Sequence, residues 1–180
     1  DETIEYGENQ ELYLNILDKR DGKAVSRNVT WSFVNNNESA GSLSKYSTGS
    51  GEKETTVFSA KKSGTYTIKA VYEIVAGKSV TLQKTITVRK PEVELIIHGD
   101  TSGYKGDSKQ YWLEAKIDGK AVTDLDVVWY QNSKWETKLG TTKSNEDSKF
   151  TIQYGLYQGS PYKLLALVNI AGEEYERMQE

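Results

Sequence analysis

Short runs of alternating apolar and polar residues fill this chain. From Tyr66 to Ile74 the even positions read Tyr, Ile, Ala, Tyr, Ile, and the odd positions read Thr, Lys, Val, Glu. A period of two puts one face inward and the other in water, which predicts a half-buried strand. Tyr162, Leu164, Ala166, Val168 and Ile170 share a face in the same way. Small Ala70 and Ala166 fall at matching places, where a bulky neighbour from the opposite sheet would need room. In the run after Ala76-Gly77, Val80, Leu82, Ile86 and Val88 alternate with polar residues. Lys84 interrupts that row and predicts a bulge or a local exit from the core. Upstream, Leu12, Leu14 and Ile16 form one inward row, and Leu113, Ala115 and Ile117 form its counterpart. Gly, Asn, Asp and Ser punctuate the runs and helix signals are nearly absent, so every element is read as a strand or a turn.

The pattern occurs twice. Asp21-Gly22-Lys23-Ala24-Val25 precedes Trp31 and then Gly64-Thr65-Tyr66. Asp118-Gly119-Lys120-Ala121-Val122 precedes Trp129 and then Ser160-Pro161-Tyr162. Ala76-Gly77-Lys78 recurs as Ala171-Gly172-Glu173. The separations are all roughly 95 to 98 residues, about one small domain. The 180 residues are therefore expected to form two domains, 1–90 and 91–180. Pro91 marks the boundary, because proline cannot continue a central strand. A junction without a Gly/Ser linker predicts two sandwiches arranged end to end with restricted bending.

Composition narrows the function. The net charge is −3 with both signs interspersed, which excludes the basic footprint of a nucleic-acid binder. No apolar run approaches the ~18 residues of a membrane span, so no membrane insertion is expected in this segment. The absence of cysteine excludes thiol catalysis, cysteine metal sites and the inter-sheet disulfide common in secreted eukaryotic sandwiches. The chain begins at Asp1 instead of Met and is read as a mature fragment or an excised piece.

The Val-x-Trp strands at Val29–Trp31 and Val127–Trp129, with the Ser63-Gly64-Thr65-Tyr66 corner leading into an alternating strand, resemble bacterial immunoglobulin-like domains. Such domains occur in tandem in bacterial surface proteins and phage virion proteins. The resemblance implies an all-β chain of two tandem immunoglobulin-like β-sandwiches. It implies core roles for Trp31 and Trp129. It also implies tyrosine corners at Tyr66 and Tyr162, each hydroxyl bonded to upstream backbone. The second copy departs from the pattern, with Ser160-Pro161 in place of glycine before Tyr162. The missing disulfide then points to a bacterial or phage origin, or to an intracellular one.

Reactive chemistry is sparse. His98 is the only histidine, and nothing near Ser102 or Ser108 resembles a nucleophile elbow, so no catalytic site is expected. Asp100 and Asp107 bracket an oxygen-rich loop of the type that binds calcium, without the spacing of a known calcium motif. The expectation is no cofactor and no metal, with Asp100 and Asp107 as the weak calcium candidates. The 12 Tyr and four Trp exceed what two core tryptophans and two corner tyrosines explain. Trp112 lies next to inward Leu113, so parity places it outward. Trp135, Tyr154 and Tyr157 join it as candidate ligand-binding aromatics, because exposed rings bind sugars or protein anchors. The expected role is a non-catalytic structural or adhesive module of a larger bacterial cell-surface protein, extracellular or secreted. Its partners would be neighbouring domains of the parent chain and a protein or glycan on a cell surface. The alternatives are a phage tail or capsid decoration and a carbohydrate-binding module.

Overall fold

The computed structural model describes residues 2–34, 39–104, 106–132, 136–153 and 163–179. The chain is all-β. It divides into two compact units, Asp1–Lys90 and Pro91–Glu180.

The first unit runs β1 (Glu2–Ile4), β2 (Asn9–Leu12), β3 (Val29–Phe33), β4 (Gly41–Leu43), β5 (Ser47–Thr48), β6 (Thr56–Ala60), β7 (Gly64–Val75) and β8 (Lys78–Val88). One sheet has the order β1-β8-β7-β3-β5 and the other β2-β6-β4. β1 lies parallel to β8, and the other pairs are antiparallel. The inward rows of both sheets merge into one core. Trp31, Phe33, Ile68 and Ile86 come from the first sheet, and Leu12, Leu43 and Phe58 from the second. Phe58 meets Tyr66 across the layers at 5.0 Å between ring centres.

The second unit runs β9 (Val93–His98), β10 (Ser108–Ile117), β11 (Lys120–Val122), β12 (Asp126–Gln131), β13 (Lys138–Lys143), β14 (Phe150–Gln153), β15 (Leu164–Ile170) and β16 (Glu173–Gln179). One sheet has the order β13-β12-β15-β16. In the other, β10 pairs with β9, β11 and β14. Trp129 of β12 stacks on Phe150 of β14, with ring centres 5.7 Å apart and planes 10° from parallel.

Several local expectations need correction. No bulge occurs at Lys84, because the β7–β8 register runs unbroken through Ile68↔Lys84 and shifts only between Glu73 and Val75. The row does leave the core there, with Leu82 46% exposed. Ala70 and Ala166 also have a bulky neighbour within their own sheet. Trp31 pairs directly with Ala70, and Trp129 with Ala166. The two Asp-Gly-Lys segments also differ. Asp118 and Gly119, both at positive φ, form a two-residue turn between Ile117 and Lys120. Asp21 and Gly22 sit in a longer loop closed by Asp18 N–H to Lys23 O at 2.8 Å. Finally, β2 stops at Leu12, whereas β10 continues to Ile117. β10 is held along that stretch by β9 and β11, whereas the segment after β2 carries an isolated bridge, Leu17↔Ala24, and the bond from Val25 N–H to Ile16 O.

Candidate functional site

The tryptophan strands carry a shared device that the sequence pattern did not reveal. The Trp31 indole N–H donates to Thr48 Oγ1 at 2.9 Å. The Trp129 indole N–H donates to Thr142 Oγ1 at 2.8 Å. Each threonine lies on the strand next to its tryptophan, β5 and β13 respectively. A buried indole N–H without an acceptor costs about 1–3 kcal/mol. Thr142→Val and Thr48→Val are therefore each expected to lower the stability of their own unit by that amount, measured by urea denaturation. Thr48→Ser and Thr142→Ser should restore most of it. The signal was available as a Thr downstream of each Trp, but threonine is too common in strands to stand out.

Tyr66 is 3% exposed, and its hydroxyl donates to Lys62 O at 2.7 Å with Ala40 O at 3.1 Å. Burial pushes its pKa up, against the opposing effect of the bond to Lys62. A raised folded-state pKa means the neutral phenol stabilises the fold below pH ~10, and that contribution is lost as pH rises further. Tyr66→Phe is expected to cost about 1 kcal/mol and to flatten the alkaline limb of a stability–pH curve. Tyr162 lies outside the described residues, as do Trp135, Tyr154 and Tyr157.

Trp112 lies on the outward face of β10, with Glu114 and Lys116 at the next alternate positions. β9 brings His98 directly opposite Trp112, and the two rings stack with centres 4.1 Å apart and planes 13° from parallel. His98 Nε2 lies 2.8 Å from Glu114 Oε2, and Lys116 Nζ lies 3.1 Å from Glu114 Oε1. The hydrogen bond from His98, then that from Lys116, holds the Glu114 carboxyl below the usual carboxylate range. Glu114 and Glu94 together raise the Lys116 ammonium. The chain's one histidine thus stacks on Trp112 and hydrogen-bonds Glu114 at the surface. Beside Trp112 runs an open groove of about 540 Å³. Asp100, Ser108, Lys109, Gln110, Lys149 and Thr151 line it. Trp112 thus borders the groove beside hydroxyl, amide and charged groups.

A second groove, of about 520 Å³, opens in the first unit between β2 and β8. Leu12, Leu14, Trp31, Ile68, Ala70 and Leu82 form its apolar lining. It exists because β1 lies on β8 and leaves the outer edge of β2 bare, whereas β9 of the second unit lies on β10.

Asp100 and Asp107 have separate partners. Asp100 pairs with Lys109 at 2.9 Å, and Asp107 accepts the Tyr104 N–H at 2.9 Å. Among the described residues no group of three or more His, Cys, Asp or Glu is placed to hold a metal ion. Among them, too, no helix is long and apolar enough to cross a membrane.

Facing sheets closed around a core tryptophan, with β3, β7 and β8 or β12, β15 and β16 side by side, define the class. The chain has the immunoglobulin-like β-sandwich architecture. No family model matches the chain, and no curated protein matches it. Among solved structures it is similar to the fibronectin(III)-like modules of CbhA from Clostridium thermocellum, at 12% identity and a TM-score of 0.36. That match covers 98% of this chain and 87% of the other.

Proposed function

We propose that this chain is a non-catalytic structural and adhesive segment of a larger bacterial cell-surface protein, two immunoglobulin-like sandwiches set end to end outside the cell. One observation carries the proposal: each unit closes its own core around its own Trp–Thr–Ala cluster. Units that each carry their own core suit an extended spacer built by repetition. Small-angle scattering tests the shape. A compact particle of this length has a radius of gyration of about 16 Å. Two units set about 40 Å apart, the reach of a twelve-residue strand, give about 23 Å. A measured value near the compact figure would reject the spacer.

The groove beside Trp112 favours an adhesive contact with a carbohydrate in the second unit. Trp112→Ala is expected to abolish binding on a glycan array while leaving the melting temperature of the unit nearly unchanged. An array on which the unaltered chain binds no glycan would count against this contact and leave the spacer intact.

A further inference from the structure

Two strand edges of this chain carry opposite charge. β8 pairs with β7 along its length, but on its other side β1 covers only Ile86 to Val88. Beyond that point, from Lys78 to Thr85, no further strand lies against it among the described residues. That stretch carries Lys78 and Lys84 and no carboxylate. β16 is the last strand of its own sheet and pairs with β15, and the end of β9 comes close to it at Arg177, Met178 and Gln179, so the stretch from Glu173 to Glu176 is the part offered to a second copy, with the Tyr175 hydroxyl already on Glu173 at 3.5 Å. It carries Glu173, Glu174 and Glu176 against a single cation, Arg177. Each edge also shows an apolar side chain to water, Leu82 at 46% and Met178 at 43% exposure.

We propose that the β8 edge of one copy pairs antiparallel with the β16 edge of a second copy, joining their sheets. Strand alternation limits the register. The core-facing row of β8 holds Val80, Leu82 and Lys84, and that of β16 holds Glu173, Tyr175 and Arg177. Setting Lys84 opposite Glu173 puts Leu82 opposite Tyr175, an ion pair beside an aliphatic–aromatic pair. On the outer face the same register sets Gln83 against Glu174 and Thr81 against Glu176, each a donor against a carboxylate. Lys84 already holds Glu2, and its three N–H donors allow a second carboxylate.

The pairing of like edges is disfavoured. β8 against itself, centred on Thr81, would oppose Lys78 to Lys84. β16 against itself, centred on Glu176, would stack that carboxylate on its own copy. Lysines on an open edge are a known guard against indiscriminate pairing, and here they leave the acidic edge as the permitted partner. The contact is heterologous, so each copy offers one donor edge and one acceptor edge and the assembly grows head to tail.

Sedimentation equilibrium from micromolar to millimolar protein tests this. The unaltered chain should associate with rising concentration, and more weakly in high salt. Lys78→Gln with Lys84→Gln neutralises the basic edge, and Glu173→Gln with Glu176→Gln leaves the acidic one without net charge. All four side chains are exposed or at a sheet edge, and circular dichroism verifies that each variant is folded. Each variant alone should associate at least about tenfold more weakly. An equimolar mixture should recover a dimer and stop there, because it contains one intact basic edge and one intact acidic edge per pair. A monomer at every concentration, an association insensitive to salt, or a mixture that does not recover the dimer would each overturn the proposal.

Discussion

Trp129→Ala is expected to cost the second unit about 3–5 kcal/mol, enough to leave it close to unfolded at room temperature. Trp129 is fully buried, stacked on Phe150 and hydrogen-bonded to Thr142. Truncation leaves a cavity between the layers, and it strands the space that Ala166 concedes on β15. A unit of this size holds about 5–13 kcal/mol in total. The loss therefore takes a large share of it and moves the melting temperature down by more than about 12 °C. Calorimetry should show one transition displaced while that of the first unit stays in place. Trp31→Ala should fall at the lower end of the range, because Trp31 borders the groove under β2 and β8 and part of its surroundings is already open. A shift in the second transition of under about 4 °C would show that Trp129 is not the centre of that core.

Much of this architecture was legible in the chain because strand alternation and turn chemistry are local. The rows through Tyr66 and Leu164 and the hairpin at Ala171-Gly172 follow from a period of two and from glycine at positive φ. What escaped was set by pairing between distant segments. That Trp31 lies beside Ala70 on β3 is a relation fixed by register alone. The first strand joins β8 in one unit and β10 in the other, and nothing in the local sequence of Glu2–Ile4 or Val93–His98 announces the switch. The groove between β2 and β8 follows from that switch, so it could not be read either. At the candidate surface the outward parity of Trp112 was readable from Leu113. Its stack on His98 needed the antiparallel register of β9 on β10.

Gly99→Ala is expected to cost about 2–6 kcal/mol, and the sum has two separable parts. Gly99 sits at φ +148°, a backbone conformation that an L side chain enters at a cost of about 1–3 kcal/mol. A Cβ there would also lie 2.2 Å from Tyr111 Cδ1 and 2.8 Å from the Gln110 carbonyl oxygen. Tyr111 is 3% exposed and donates its hydroxyl to Asp100 O at 2.9 Å, so its ring cannot swing aside without breaking that bond. Overpacking of this kind adds about 1–3 kcal/mol. Gly64 supplies the control. It has φ +139° and open space around its Cβ position, so Gly64→Ala carries the backbone cost alone. The difference between the two substitutions, measured by urea denaturation, isolates the collision with Tyr111. If that collision is the cause, combining Gly99→Ala with Tyr111→Leu should be less damaging than the two single losses added together. Additive losses would place the cost in the backbone and not in the contact with Tyr111.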